Sequence, residues 1–189
     1  MSSPKTPIAE MPDIASDADA QVAGTLDWVG MNEIEMPVRV DTPDQGTVQY
    51  PARISAFVNL DNPGARGIHM SRLYLQLDQI LGAQSLNPAT LRHLLSSFLE
   101  SHSDLSQQAM VRIDLEYQIR RPSLASGNTG WRRYPVSIIG RMREREFHME
   151  VALQVLYSST CPCSAALARQ LVQNRFELDW AGSEEVSVD

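Results

Sequence analysis

A strict two-residue alternation over residues 48–60 constrains the fold more than any other feature of the sequence. Successive side chains of a β-strand point to opposite faces of a sheet, so the alternation predicts a long strand with one buried face. A shorter strand is expected before it, at 37–41, with a hairpin turn at 43–46. The alternating positions are Val48, Tyr50, Ala52, Ile54, Ala56, Val58 and Leu60.

The next two segments have the spacing of amphipathic helices. The first is predicted over 70–82, and the second over 88–101, where Asn87 and Pro88 supply an N-cap and a first-turn proline. His93 and His102 are expected on or near the exposed side of the second helix. The apolar stripes are Met70, Leu73, Tyr74, Leu77, Ile80 and Leu81, then Leu91, Leu94, Leu95, Phe98 and Leu99.

Three more strands are predicted, near 108–120, 133–143 and 146–158, with turns at 127–130 and 144–146. His148 and Glu150 are expected as a surface pair on the polar face of the third. A final helix begins near Pro162 and carries Leu167, Leu171 and Phe176. This order predicts an α+β domain, with an antiparallel sheet, two helices packed on one face, and a polar opposite face.

The two ends of the chain differ from this pattern. Residues 1–25 are rich in Ser, Pro, Ala and Asp, and they predict a flexible leader before a domain over 26–189. Glu33 and Glu35 are expected to bracket a turn at the start of that domain. The N-terminal residues lack the regions of a signal peptide, and no apolar run has membrane-spanning length. A cytoplasmic protein is therefore expected.

Charge and cysteine content exclude several classes of protein. The 189 residues carry a formal net charge of −7, which argues against a sequence-independent nucleic-acid binder but allows a local basic pocket. The two cysteines are one residue apart, which excludes a disulfide scaffold.

The segment 158–164 carries the strongest chemical signal. Cys161-Pro162-Cys163 lies between a predicted strand and the first turn of a predicted helix. Backbone N–H groups and the helix dipole there lower the pKa of a thiol, which favours the thiolate that binds metal or attacks carbon. The alternative is two small side chains packed as apolar groups. Because neighbouring sulfurs at this spacing bind one zinc poorly, we expect one ligand and one second role.

The segment 67–72, Gly-Ile-His-Met-Ser-Arg, opens the first predicted helix. A helix N-terminus with Ser71 and Arg72 in its first turn is suited to an anion. In the alternative interpretation Ser71 only caps the helix, Arg72 is solvated and His69 is a loop histidine. Spacing alone leaves the two interpretations equal.

Four segments together resemble the prokaryotic type IB GTP cyclohydrolase I family. They are Leu-Asp-Trp-Val-Gly-Met at 26–31, Val-Asn-Leu at 58–60, Gly-Ile-His-Met-Ser-Arg-Leu-Tyr at 67–74 and Ser-Thr-Cys-Pro-Cys-Ser at 159–164. The resemblance implies the tunnelling fold (strand-strand-helix-helix-strand-strand), whose sheets assemble into barrels in a homo-oligomer, a tetramer. It also implies conversion of GTP and water to 7,8-dihydroneopterin triphosphate and formate, the first step toward tetrahydrofolate.

The resemblance assigns roles to five residues. Cys161 would be the metal ligand, for zinc or manganese, and Cys163 a second catalytic thiol. His69, Ser71 and Arg72 would lie toward the substrate GTP. Guanine C8 is a poor electrophile and water a poor nucleophile, so a metal that activates water suits this reaction, together with positioned proton donors and acceptors.

The family pattern continues into a second tunnelling-fold unit that carries further metal and guanine ligands. No such motif follows Trp180 before the sequence stops at Asp189. The sequence is therefore expected to be a fragment or truncated product that does not turn over GTP alone. Two other hypotheses are a non-catalytic purine-binding, pterin-binding or assembly module of the same fold, and a small redox or metal-handling protein. The His-Met-Ser-Arg segment argues against the last.

Overall fold

The computed structural model describes residues 24–123, 126–159 and 161–179. These residues form two compact units, 24–154 and 155–179. The predicted leader lies almost entirely outside the described residues. In chain order the first unit contains β1 (Leu26–Thr42), β2 (Gly46–Leu60), α1 (Met70–Ala83), α2 (Pro88–Ser101), β3 (Gln108–Pro122), β4 (Thr129–Arg143) and β5 (Glu146–Leu153), and the second contains α3 (Pro162–Asp179).

The strands form one antiparallel sheet in the order β1-β2-β3-β4-β5, which confirms the predicted α+β class. Helices α1 and α2 contact each other and cover one face of this sheet. Their buried side chains pack against the alternating apolar residues of β2 and β3, as the two periodicities predict. Met70 and Tyr74 are 39% and 44% exposed, so the predicted stripe of α1 is wider than the part that is buried.

Strand β1 is much longer than the predicted strand at 37–41. Its register shifts between Met31 and Ile34, where Asn32 and Glu33 together oppose Ser55 of β2. The extra residue is a β-bulge, and Glu33 has a left-handed φ of 56° there. The expected turn between Glu33 and Glu35 is therefore wrong, because these residues belong to a bulged strand that continues in both directions.

The two predicted hairpin turns after β1 and β4 are present. Gly46 closes the first with a φ of 68°. In the second, Glu144 and Arg145 form a two-residue connection in which both have positive φ, 50° and 70°. This matches the right-handed twist of the flanking strands, although neither residue is the glycine or asparagine usually found there.

Strand β5 ends at Leu153, earlier than the predicted residue 158. Its apolar face is largely exposed, with Met149 at 38%, Val151 at 58% and Leu153 at 57%. These side chains alternate with the polar His148 and Glu150 along an edge strand. The predicted alternation of apolar and polar side chains is therefore present, but the apolar side chains are not buried within this unit.

Candidate active site

Cys161 lies immediately before α3 and occupies the N-cap position of that helix. Its carbonyl oxygen accepts a hydrogen bond from the Ala165 N–H at 3.0 Å, and its sulfur accepts one from the Ser164 N–H at 3.2 Å. Pro162 is the first helical residue, a position where a missing N–H has little effect. The sulfur thus takes the place of the side-chain oxygen that usually caps a helix.

The environment of Cys161 favours the thiolate. Its Sγ lies 2.8 Å from the Ser164 hydroxyl. Hydrogen bonds from that hydroxyl and from the Ser164 backbone lower the pKa of Cys161. The side chains of Cys161 and Cys163 are both exposed. The predicted location at a helix start is therefore confirmed for both thiols, while their roles as metal ligand and second thiol stay predictions.

His69, Ser71 and Arg72 lie together at the start of α1. His69 is the N-cap residue, and its half-buried side chain makes no capping hydrogen bond. Ser71 is exposed within the first turn, so the interpretation in which Ser71 caps the helix is wrong. Nη1 of Arg72 donates to the carbonyl oxygen of Ser101 at 2.8 Å. The structure thus groups these three residues in the first unit, and Cys161 with Cys163 in the second.

His102 lies beside His69 and is buried, so its predicted position on or near the exposed side of α2 is wrong. His102 is 0% exposed, and the centroids of the two imidazole rings are 6.2 Å apart. His102 Nδ1 lies 2.9 Å from the carbonyl oxygen of Phe98, and a carbonyl only accepts, so Nδ1 carries the proton. Within the described residues, Nε2 is buried without a hydrogen-bond partner. Burial lowers the pKa of His102, while the Phe98 carbonyl and the His69 backbone act in the opposite direction.

Asn59, at the end of β2, fixes the loop that follows His102. Its Oδ1 accepts hydrogen bonds from the N–H groups of Gln107 at 2.9 Å and Gln108 at 2.8 Å. Its backbone carbonyl oxygen accepts a hydrogen bond from the hydroxyl of Ser106. Asn59 is 2% exposed. This buried amide therefore holds the connection from α2 to β3 against the end of β2, next to the loop that leads to His69.

The helix-free face of the sheet carries a cleft of about 900 Å³. Across its floor Arg53 pairs with Glu33 at 3.3 Å, and Arg112 contacts Asp114 through two nitrogens, at 2.8 and 3.0 Å. The hydrogen bonds from Arg112 are the main reason why the pKa of Asp114 is lowered. The predicted polar face thus carries these ion pairs, and the sequence signal for it was the alternation of charged with apolar residues in β3.

Comparison with known proteins decides the family. The sequence model of the family described as "Type I GTP cyclohydrolase folE2" matches residues 11–184. The chain belongs to this family. It is 47% identical over 174 residues to GTP cyclohydrolase FolE2 of Hydrogenovibrio crunogenus, covering 92% of this chain and 56% of that protein. It is 48% identical over 166 residues to GTP cyclohydrolase FolE2 of Pseudoalteromonas translucida, covering 88% and 55%.

The chain spans about half the length of these two FolE2 relatives. Cys161, Cys163, His69, Ser71 and Arg72 all fall inside the region that the FolE2 family model matches. Across the stretches of chain that the structure describes, no helix is long and apolar enough to cross a membrane.

Proposed function

We propose that the protein acts as a metal-dependent GTP cyclohydrolase of type IB. The reaction converts GTP and water to 7,8-dihydroneopterin triphosphate and formate, at the start of tetrahydrofolate biosynthesis. The observation that carries the proposal is the exposed Cys161 thiol at the N-cap of α3, whose pKa is lowered by Ser164, in a chain of the FolE2 family.

The thiol donor of Cys161 favours zinc over manganese. A thiolate is a soft ligand that suits zinc, whereas manganese prefers oxygen donors. Cys161 would hold the metal, and Cys163 lies in the first turn of the helix that Cys161 caps. Within the described ranges, no three His, Cys, Asp or Glu side chains gather to complete such a site. When bound, the divalent metal makes water reactive near neutral pH.

The residues of this chain have distinct tasks in the proposed reaction. Loss of C8 as formate breaks its two bonds to nitrogen, which requires proton transfers from the attacking water molecules and to the purine nitrogens, and a thiol such as that of Cys163 can carry a proton. The guanidinium of Arg72 can bind the triphosphate, because its contact with Ser101 holds it at the start of α1. Binding energy from the triphosphate then serves to position the guanine.

The protein is further proposed to be a homo-oligomer, a tetramer, in the cytoplasm. The exposed apolar face of β5 supports association, because contiguous apolar surface on an edge strand favours a partner. Two exposed free thiols suit a reducing compartment.

The decisive experiment is formate release from GTP by the whole protein, with and without a chelator, in wild type and Cys161→Ala. We expect chelator-sensitive release in wild type, and neither release nor stoichiometric metal in the variant. Serine at this position should not restore activity, because a hydroxyl stays protonated where a thiol ionises. Tight GTP binding without formate release would support a non-catalytic binding module instead. Full metal retention in Cys161→Ala would exclude Cys161 as a ligand.

A further inference from the structure

The hairpin between β3 and β4 extends beyond the rest of the sheet. Strand β2 pairs with β3 only as far as Leu115, and β5 pairs with β4 only from Val136 onward. Between them, β3 and β4 pair with each other from Tyr117–Tyr134 to Pro122–Thr129. We call the described residues 117–123 and 126–134 the arginine arm. It is a two-stranded ribbon whose outer edges lack a neighbouring strand in the described sheet.

The charge of the arginine arm is opposite to that of the rest of the chain. It contains Arg120, Arg121, Arg132 and Arg133 and no acidic residue, so its formal charge is +4. Since the whole chain carries −7, the remainder carries −7 − 4 = −11. All four arginines are exposed. Arg120 and Arg133 lie on one face of the arm and Arg121 and Arg132 on the other, so the arm presents positive charge on both faces of an otherwise acidic chain.

Contacts within the arginine arm orient part of this surface. The guanidinium of Arg120 lies over the ring of Trp131, 5.7 Å from its centroid, and Trp131 is 58% exposed. Arg133 pairs with Glu116 at the base of the arm at 3.3 Å, in an exposed contact that contributes little to stability. Also at the base, Tyr117 packs against Tyr50, with ring centroids 5.7 Å apart.

These features point to a protein surface as the partner. A two-stranded ribbon is marginally stable in water unless another surface covers it, and a small anion covers too little of it. The arm exposes Trp131 and four arginines, and Trp and Arg are among the residue types that carry most binding energy at protein interfaces. Complementary negative charge is present on the chain itself, because the described residues outside the arm carry 16 acidic side chains and 11 arginines, a net charge of 11 − 16 = −5.

We propose that the arginine arm docks on an acidic surface of a second copy of this protein. The inference rests on the homo-oligomer proposed above and assigns an interface to it. It does not depend on the chemistry at Cys161. The competing explanation is that the arginines only keep the open strand edges soluble, since charged side chains on edges oppose strand pairing. Charge reversal distinguishes docking from edge protection, because glutamates would keep the edges soluble but would not bind an acidic surface.

The experiment is sedimentation velocity of the whole protein at low and high salt. The test variant is Arg121→Glu/Arg132→Glu, since these two side chains lie on one face of the arm away from Trp131 and Glu116. The matched control is Arg66→Glu/Arg169→Glu, which makes the same change in net charge at exposed positions outside the arm. A milder pair, Arg121→Gln/Arg132→Gln, removes the positive charge without adding a negative one.

We expect the dissociation constant of the oligomer to rise at least about tenfold in the glutamate pair and by less in the glutamine pair. Added salt should weaken wild type and the control more than the glutamate pair. An arm variant that associates as the control does, with the same salt dependence, would overturn the docking role and leave the oligomer in place. A wild-type protein that stays monomeric would overturn both.

Discussion

The guanidinium of Arg72 donates a 2.8 Å hydrogen bond from Nη1 to the carbonyl oxygen of Ser101, and so links the first turn of α1 to the last residue of α2. A cation at the C-terminal end of a helix is stabilised by the helix dipole. The contact therefore favours one orientation of an exposed, otherwise flexible side chain.

Replacement of Arg72 by Ala should weaken the binding of GTP much more than the binding of guanosine. The lost charge-assisted hydrogen bond is worth about 1.5–3 kcal/mol, which is roughly tenfold to a hundredfold in the Michaelis constant for GTP. The measurement compares the two ligands in wild type and variant, with Arg66→Ala as an exposed control. Equal weakening for both ligands would mean that Arg72 does not contact phosphate and serves only to connect the helices.

Removal of the Ser164 hydroxyl should raise the pKa of Cys161. The hydroxyl is the largest cause of the lowered pKa, and the backbone N–H of residue 164 remains in the alanine variant, so a partial rise is expected. The alkylation rate of the thiol as a function of pH, measured in a Cys163→Ala background, reports this pKa directly. Ser159→Ala is the matched control and should leave the profile unchanged. An unchanged profile in Ser164→Ala would show that the hydroxyl does not stabilise the thiolate.

His102 should make folding stability depend on pH. Burial lowers its pKa in the folded protein below the unfolded value of about 6.5, so the unfolded chain binds the proton more readily. The free energy of unfolding should therefore fall as pH drops through about 6.5, by at most about 1.4 kcal/mol per pH unit, until the folded ring is also protonated. Urea unfolding of wild type and His102→Gln at several pH values isolates this contribution as the difference between them. Parallel pH profiles would contradict it.

Asn59 should be much less tolerant of substitution than its polar neighbour Asn62. Asn59→Ala leaves the N–H groups of Gln107 and Gln108 without their acceptor, which costs about 1–3 kcal/mol of unfolding free energy. The exposed Asn62 accepts one hydrogen bond from Gly64, so Asn62→Ala should cost less than about 1 kcal/mol. Denaturant unfolding measures both. Similar losses would show that the loop after His102 does not depend on the Asn59 amide.

The elements with uninterrupted periodicity were predictable from the sequence. Helices α1 and α2 and strand β2 lie within a few residues of their predicted bounds, because a single face of each is buried in one core. Strand β1 was mostly missed, since the bulge at Asn32 and Glu33 changes which positions face the core and thereby breaks the alternation. The alternation of apolar and polar residues does not continue across a β-bulge, because the extra residue shifts the following side chains to the opposite face.

The candidate site was predictable where local sequence decides the geometry. Cys161 caps α3 because the proline after it can only begin a helix, and this needs no tertiary information. His102 was misplaced, because its burial comes from its position one turn beyond Phe98, on the continuation of the apolar stripe. The contact between Arg72 and Ser101 joins residues 29 positions apart, and no local pattern indicates it.

Replacement of the two residues in the turn formed by Glu144 and Arg145 is expected to increase the thermal stability of the protein. Two consecutive side chains with a β-carbon occupy left-handed backbone there, at a cost of about 1–2 kcal/mol per residue that asparagine or glycine would largely avoid. Glu144→Asn/Arg145→Gly therefore offers a gain in thermal tolerance at the far end of β4 from the arginine arm. In this more stable background, variants that are otherwise too unstable to purify could be purified, and their activity could be measured.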